Sequence, residues 1–237
     1  QINTEDMIKE EEVVVMISKL GYIKRVPLTQ YKAQSRGGKG SLSATLIEGD
    51  YINQIFTATT KSFITFFTNA GKVYWIKVHE IPEASRSSRG SSVKSLIQLS
   101  PDEEISTIVT MKDYTDQQYI FMSTANGTVK KCKTTEFANA KTRGVIGIKL
   151  HDGDHLVSAM LTSGNDDAML ITRKGQALRV SEESVRPMGR ASSGVTGIRL
   201  ASGDEVAAAI SVEQNKDALV ITEKGYGKRV GFDEFGK

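Results

Sequence analysis

"YIFMSTANGTVKKCK", Tyr119 to Lys133, reads as one β-hairpin. Its first arm is apolar and β-prone, and its second alternates apolar residues with lysines. Asn126-Gly127 between them is the strongest short hairpin signal in the chain, because both central residues of a type I′ turn need φ > 0. The same unit recurs as "VVVMISKLGYIKRV", "FITFFTNAGKVYWIKV", "AMLITRKGQALRV" and "ALVITEKGYGKRV". The turn glycines are Gly21, Gly71, Gly127, Gly175 and Gly225, spaced by 50, 56, 48 and 50 residues.

Two further landmarks keep this phase. After each hairpin comes an apolar anchor (Tyr31, Ile81, Phe137, Val185, Phe235), followed in three copies by Arg36-Gly37, Arg89-Gly90 or Arg143-Gly144, and in the fourth by Arg190 and Ser193-Gly194. A Gly-Asp turn then follows at Gly49-Asp50, Gly153-Asp154 and Gly203-Asp204, replaced by Pro101-Asp102 in the second copy. "HEIPEASRSS" and "SEESVRPMG" leave room only for short helical turns, since Pro82 and Pro187 limit them. A period near 50 with four strands per unit predicts blades around an axis. The expected fold is all-β, a propeller-like array of four-stranded antiparallel blades. Residues 1–12 read as an acidic linker from an upstream domain. Residues 13–237 read as one domain, with repeats starting near 13, 63, 118 and 167 and a partial fifth from about 217.

The net charge of +3 hides a segregation by repeat phase. Val13 to Ile47 holds six basic residues and no acid. Just after the turn glycines stand Lys24-Arg25, Lys130-Lys131, Arg179 and Lys228-Arg229. Around the second landmark stand Arg36, Arg86, Arg89, Lys141, Arg143, Arg186 and Arg190. Acids gather instead at the Gly-Asp turns and between blades. If equivalent positions face the same way, the bases form one belt, suited to a long polyanion such as duplex DNA with about one charge per 1.7 Å. No recognition helix, zinc finger or aromatic stacking platform is present in the sequence, so contact with the sugar-phosphate backbone should dominate. The plainer alternative is that these charge runs are solvated faces.

Other chemistry is weakly signalled. With three histidines and one cysteine in 237 residues, neither a catalytic triad nor a thiolate metal cluster is expected. "HDGDH", His151 to His155, falls on a Gly-Asp turn and reads as a solvated turn rather than a metal site. Cys132 reads as an inert strand residue, although Lys130-Lys131 beside it would favour its thiolate. "QSRGGKG", Gln34 to Gly40, invites comparison with a phosphate loop, yet Gly38-Lys39 is followed by Gly40 rather than Ser or Thr. No apolar run is long enough for a membrane helix and no secretory signal is visible.

Taken together, "QSRGGKG", "YIKRVPL", "EIPEASRSSRG", "GTVKK", "EFANAKTRGVIGI", "RPMGRASSGVTGIRL" and "EKGYGKRV" resemble the blade sequences of the C-terminal DNA-wrapping domain of bacterial DNA gyrase A, part of a type IIA topoisomerase. The resemblance covers Val13 to Lys237. It implies a β-pinwheel whose adjacent blades exchange strands, with DNA wrapped on a basic rim. It identifies Gln34, Arg36, Gly37, Gly38, Lys39 and Gly40 with the family's heptapeptide, which serves wrapping that leads to supercoiling. Ser35 stands where a basic residue is usual. The resemblance also implies no catalytic residue and no cofactor in this chain, with ATP, Mg and the cleaving tyrosine elsewhere in the holoenzyme. The implied partners are double-stranded DNA, the rest of gyrase A and gyrase B in a heterotetramer, in a cytoplasm, at the nucleoid, with no membrane and a monomeric isolated domain. The equivalent domain of topoisomerase IV and a DNA-free interaction scaffold are the alternatives.

Overall fold

The computed structural model describes residues 4–31, 45–213, 216–222 and 224–235. Every regular element among them is a β-strand or a single 3-10 turn. The first repeat supplies β1 (Glu12–Ser18), β2 (Tyr22–Pro27) and β3 (Ile52–Thr59). The second supplies β4 (Phe63–Thr68), β5 (Lys72–Lys77), β6 (Ser91–Ser92) and β7 (Ile105–Met111). The third supplies β8 (Tyr119–Thr124), β9 (Thr128–Lys133), β10 (Val145–Ile146) and β11 (Leu156–Thr162). The fourth supplies β12 (Asp167–Thr172), β13 (Ala177–Ser181), β14 (Val195–Thr196) and β15 (Val206–Val212). The fifth supplies β16 (Asp217–Ile221) and β17 (Gly227–Gly231).

All five hairpins close alike, and not as Asn126-Gly127 suggested. A type I′ turn needs positive φ at both central residues, but Gly127 has φ +84° and Asn126 does not have a positive φ. Instead the Gly127 amide donates to the Thr124 carbonyl at 3.1 Å, and the next amide, of Thr128, donates to the Thr124 hydroxyl at 3.2 Å. The pair of bonds repeats at Ser18, Thr68, Thr172 and Thr222. A Ser or Thr three residues before each turn glycine was therefore a signal the sequence carried all along. The Gly-Asp turns serve the same end of the blade. Asp50 Oδ1 accepts from the Leu20 amide at 3.0 Å, Asp154 from Asn126 at 2.9 Å and Asp204 from Lys174 at 3.1 Å.

Each of the first three sheets is completed by the repeat that follows it. The orders are β3-β1-β2-β6, β10-β5-β4-β7 and β11-β8-β9-β14, so the two-residue strands β6, β10 and β14 each join the outer edge of the preceding repeat's sheet. This is the strand exchange the family resemblance implied. The fourth and fifth sheets have three and two strands among the described residues rather than four. At the opposite edge, successive sheets touch one another. Ser106 Oγ donates to the Leu156 carbonyl at 2.8 Å and Ser158 Oγ to the Ala209 carbonyl at 3.0 Å. The β3, β7, β11 and β15 edges are thus innermost, and the exchanged strands lie on the outside.

Cores lie between sheets, as the two-residue strand period demands. Val13, Val15 and Ile17 face Ile64, Phe66, Tyr74 and Ile76 of the next blade. Phe67 and Val73, one residue along, face forward to Ile120, Cys132 and Phe137. Phe121 and Val129 repeat this toward Ala168 and Leu170, and Met169 toward Ala218 and Phe232. Both faces of the central strands are buried, so their sequences run apolar rather than alternating.

Candidate nucleic-acid interface

The outer edge is built from two parts, a hairpin strand and the exchange loop that the next repeat lays along it. After each hairpin the chain makes a 3-10 turn, Val78–Glu80 in the second repeat and Glu182–Ser184 in the fourth. In the second, third and fourth repeats it then runs along the neighbour's outer strand before ending in the exchanged pair. Arg25 and Glu83 form a parallel bridge, as do Lys131 and Pro187. The approach is close enough to require glycine. A Cβ on Gly90 would lie 2.5 Å from the Ile23 carbonyl oxygen, and one on Gly194 2.5 Å from that of Val129, each at φ +91°.

Successive residues of the outer strand face opposite ways, and this sorts the basic pairs. The fourth residue after the turn glycine faces forward and clasps the next repeat. Arg25 Nε donates to the Ile81 carbonyl at 2.7 Å, and its guanidinium pairs with Glu83 at 3.1 Å. Trp75 Nε1 donates to the Phe137 carbonyl at 3.1 Å, and Lys131 Nζ to the Glu182 carbonyl at 2.7 Å. The third residue faces back and lies beneath the exchange loop. Lys24 Nζ donates to the carbonyls of Arg86, Ser88 and Ser85 at 2.5, 2.8 and 3.2 Å. Lys130 Nζ donates to those of Arg190, Gly147 and Ser192 at 2.6, 2.8 and 2.9 Å.

Three residues expected to touch a polyanion are therefore corrected. Lys24, Lys130 and Lys131 are 1%, 0% and 4% exposed, with their ammonium groups turned into the fold. Counting adjacent lysines as one patch ignores the pleat: in a strand covered on both faces, neither neighbour reaches solvent. Burial pulls the Lys24 and Lys130 ammonium groups below their ordinary value of 10.5, so the caging carbonyls offset desolvation only in part. Burial likewise pushes the neighbouring Cys132 thiol up to about 11, against the favourable charge of Lys130. It is a core residue rather than an activated one.

The remaining candidates divide by their partners. Arg179 and Arg229 pair with Asp167 and Asp217 of their own hairpins, at 2.7 and 2.9 Å. Lys228 is exposed on β17. The exchange loops hold the rest: Arg89, Lys141, Arg143, Arg186 and Arg190 are exposed, and Arg86 is half-buried. Among the described residues no carboxylate lies within ion-pair distance of these six. Arg86 lies 5.4 Å over the Tyr31 ring and Arg89 5.3 Å over the Tyr22 ring, within cation–π range. By contrast, two bases at the hairpin ends are neutralised: Lys19 pairs with Glu104 at 3.2 Å and Arg173 with Glu205 at 2.5 Å.

Lys94, Lys149 and Arg199 extend the exposed basic set beyond the exchanged strands. The sequence reading missed them, although Lys149 and Arg199 each stand five residues after a landmark glycine. Gln34, Arg36, Gly37, Gly38, Lys39 and Gly40 lie outside the described residues. Asp154 of "HDGDH" is committed to the Asn126 and His155 amides. Among the described residues no group of three or more His, Cys, Asp or Glu side chains is placed to hold a metal ion. No helix there is long and apolar enough to cross a membrane.

The sequence model of the family described as "DNA gyrase C-terminal domain, beta-propeller" matches residues 12–59, 62–110, 118–163, 166–213 and 216–237. The DNA gyrase A protein of Treponema pallidum is 54% identical over 192 residues, 81% of this chain and 24% of that protein. The Escherichia coli gyrase A protein is 45% identical over 188 residues, 79% of this chain and 22% of that protein. The chain thus spans about a quarter of the length of these relatives. Among solved structures, a DNA gyrase A C-terminal domain superposes with a TM-score of 0.79 at 35% identity, covering 95% of this chain and 73% of the other. The C-terminal domain of a DNA topoisomerase IV gives 0.78 at 28% identity, covering 98% and 71%. The exchanged strands, the repeat spacing and these likenesses agree: the chain belongs to the DNA gyrase C-terminal domain family, a β-propeller.

Proposed function

We propose that this chain binds double-stranded DNA without sequence preference, along the exchange loops of its outer edge, and bends it into a positive wrap. The observation that carries this reading is the set of loop cations without carboxylate partners, repeated on consecutive blades: Arg86 and Arg89, Lys141 and Arg143, Arg186 and Arg190. The hairpin ends of the blades, where acids gather, offer no comparable surface. Among the described residues only strands and single 3-10 turns occur, so no helix is available to read a major groove. Contacts of this kind are to phosphates, and they are numerous because bending a short site by 40–90° costs on the order of 1–6 kcal/mol and a longer wrap costs more.

In the holoenzyme the wrap would present a neighbouring DNA segment to the cleavage gate, and ATP-driven strand passage by the remaining parts would yield negative supercoils. The near-equal structural likeness to the topoisomerase IV domain supports a second reading, in which the same surface serves decatenation. "QSRGGKG" favours the gyrase reading. Assaying the full enzyme for supercoiling against decatenation separates the two. For the DNA reading itself, binding to random-sequence duplex is titrated with salt. Six to ten phosphate contacts predict an affinity loss of about 10³–10⁵ between 50 and 200 mM. An affinity independent of salt, or no binding, would count against it and favour a protein-interaction scaffold.

A further inference from the structure

We propose that Lys24 and Lys130 are positioning residues: buried cations that fix the exchange-loop backbone and so aim the loop arginines, without touching DNA themselves. The inference rests on the DNA reading above. The two cages use the same loop positions. Lys24 binds the carbonyls of Arg86 and Ser88, four and two residues before Gly90. Lys130 binds those of Arg190 and Ser192, four and two residues before Gly194. Each loop is also held from within by a turn, Ser88 to Ser85 at 3.2 Å and Ser192 to Gly189 at 3.1 Å.

Converging carbonyls repel one another through their partial negative charge, and an ammonium with three donors is the side chain that satisfies such a trio. Of the two arginines whose carbonyls are held, Arg190 turns its side chain outward, whereas Arg86 is half-buried and donates from its guanidinium to the Gln30 carbonyl at 3.1 Å. The Arg190 backbone is gripped 2.6 Å from Lys130 while its side chain is exposed. Lys130 also binds the Gly147 carbonyl, in the exchange loop of its own repeat, so one ammonium ties two successive rim loops together.

The second repeat supplies the internal comparison. There Tyr74 takes the lysine's place, and its hydroxyl donates to Glu103 at 2.9 Å. Its ring lies against Gly144, and the loop above it reads Ala140-Lys141-Thr142 in place of Arg-x-Ser. Lys141 there adopts φ +43° and bonds Trp75 N–H through its carbonyl at 3.1 Å. Lysine below thus goes with Arg-x-Ser-x-Gly above, and tyrosine below with a different loop path. In the fourth repeat Leu178 holds the position and its sheet still forms, so the lysine is not required for the strands themselves.

The test is Lys130→Met, alone and combined with Arg186→Ala/Arg190→Ala, in the full-length chain on random-sequence duplex. The readouts are the slope of log K against log salt and the thermal midpoint. Lys130→Met is expected to reduce the slope by about 1–2, the loss of one or two phosphate contacts, in the wild-type background. In the Arg186→Ala/Arg190→Ala background it is expected to change the midpoint only. An equal slope change in both backgrounds, or no change in a folded Lys130→Met protein, overturns the inference. Lys24→Met with Arg86→Ala/Arg89→Ala repeats the test at the first cage. If both methionine variants fail to fold, the separation of positioning from folding is wrong. A wild-type chain with no salt-dependent binding instead defeats the DNA reading on its own.

Discussion

The Lys131 ammonium lies 2.7 Å from the backbone carbonyl of Glu182 and 3.9 Å from its carboxylate, with both side chains buried. Glu182 also accepts from the Thr162 hydroxyl at 2.7 Å and from the Gly164 and Asp166 amides at 2.7 and 2.8 Å. One carboxylate thus gathers the third blade, the linker and the fourth blade's 3-10 turn. Glu182→Ala would leave three donors without their acceptor and the buried Lys131 ammonium with the backbone carbonyl but no counter-charge, a loss of about 3–5 kcal/mol. The thermal midpoint should fall by roughly 10 °C for a chain of this size. A fall of less than about 2 °C would contradict the clasp.

The repeat demands glycine for two separable reasons, one at the hairpin turn and one beside the exchanged strand. Gly175 has φ +84° with open space where a Cβ would stand, whereas Gly194 has φ +91° and a carbonyl in the way. Gly175→Ala should cost about 1 kcal/mol and Gly194→Ala about 2–3 kcal/mol, read by urea denaturation. Equal costs would show that the close approach of β14 to β9 does not matter.

The loop cations and the paired cations should behave differently toward DNA. Arg89→Ala, Arg143→Ala and Arg190→Ala are each expected to lower the salt slope by about 0.9. Arg179→Ala, whose guanidinium is held by Asp167, should leave the slope near its original value. Uniform effects at all four would mean that total charge, not loop placement, governs binding.

Asp50 and Asp204 give the acid response its sign. Burial acts to raise both, but hydrogen bonds outweigh it: the Ser18 hydroxyl and the Leu20 and Tyr51 amides at Asp50, the Thr172 hydroxyl and the Lys174 and Glu205 amides at Asp204. Both carboxyls are therefore held below their ordinary value of 3.8. A group depressed on folding contributes stability that is present above its unfolded pKa and lost as pH falls through the folded one. Thermal midpoints should fall on acidification below about pH 4. In Asp204→Asn that fall should be shallower. An unchanged acid slope would remove the hairpin-capping role.

How much of this was legible depended on whether the signal was periodic. Gly21, Gly71, Gly127, Gly175 and Gly225 set the repeat, and the blades follow from it because no single hairpin can bury both its faces. The exchanged strands were not readable from local pattern, since two residues such as Ser91-Ser92 carry no periodicity; only the family resemblance implied them. At the site, Arg89, Arg143 and Arg190 stood out through the glycines that follow them. Lys24, Lys130 and Lys131 misled because charge is visible in sequence while facing is not. Their true partners are carbonyls roughly 50–60 residues away, fixed only when the next blade docks.

The central claim is that the outer edge wraps DNA with a fixed hand. Relaxed closed-circular plasmid is incubated with the chain, treated with a nicking-closing topoisomerase, and deproteinised before two-dimensional gel analysis. The account predicts topoisomers shifted to positive linking difference in proportion to bound protein, with the shift lost on combining Arg89→Ala, Arg143→Ala and Arg190→Ala. Binding with no linking change, or with a negative one, would contradict it.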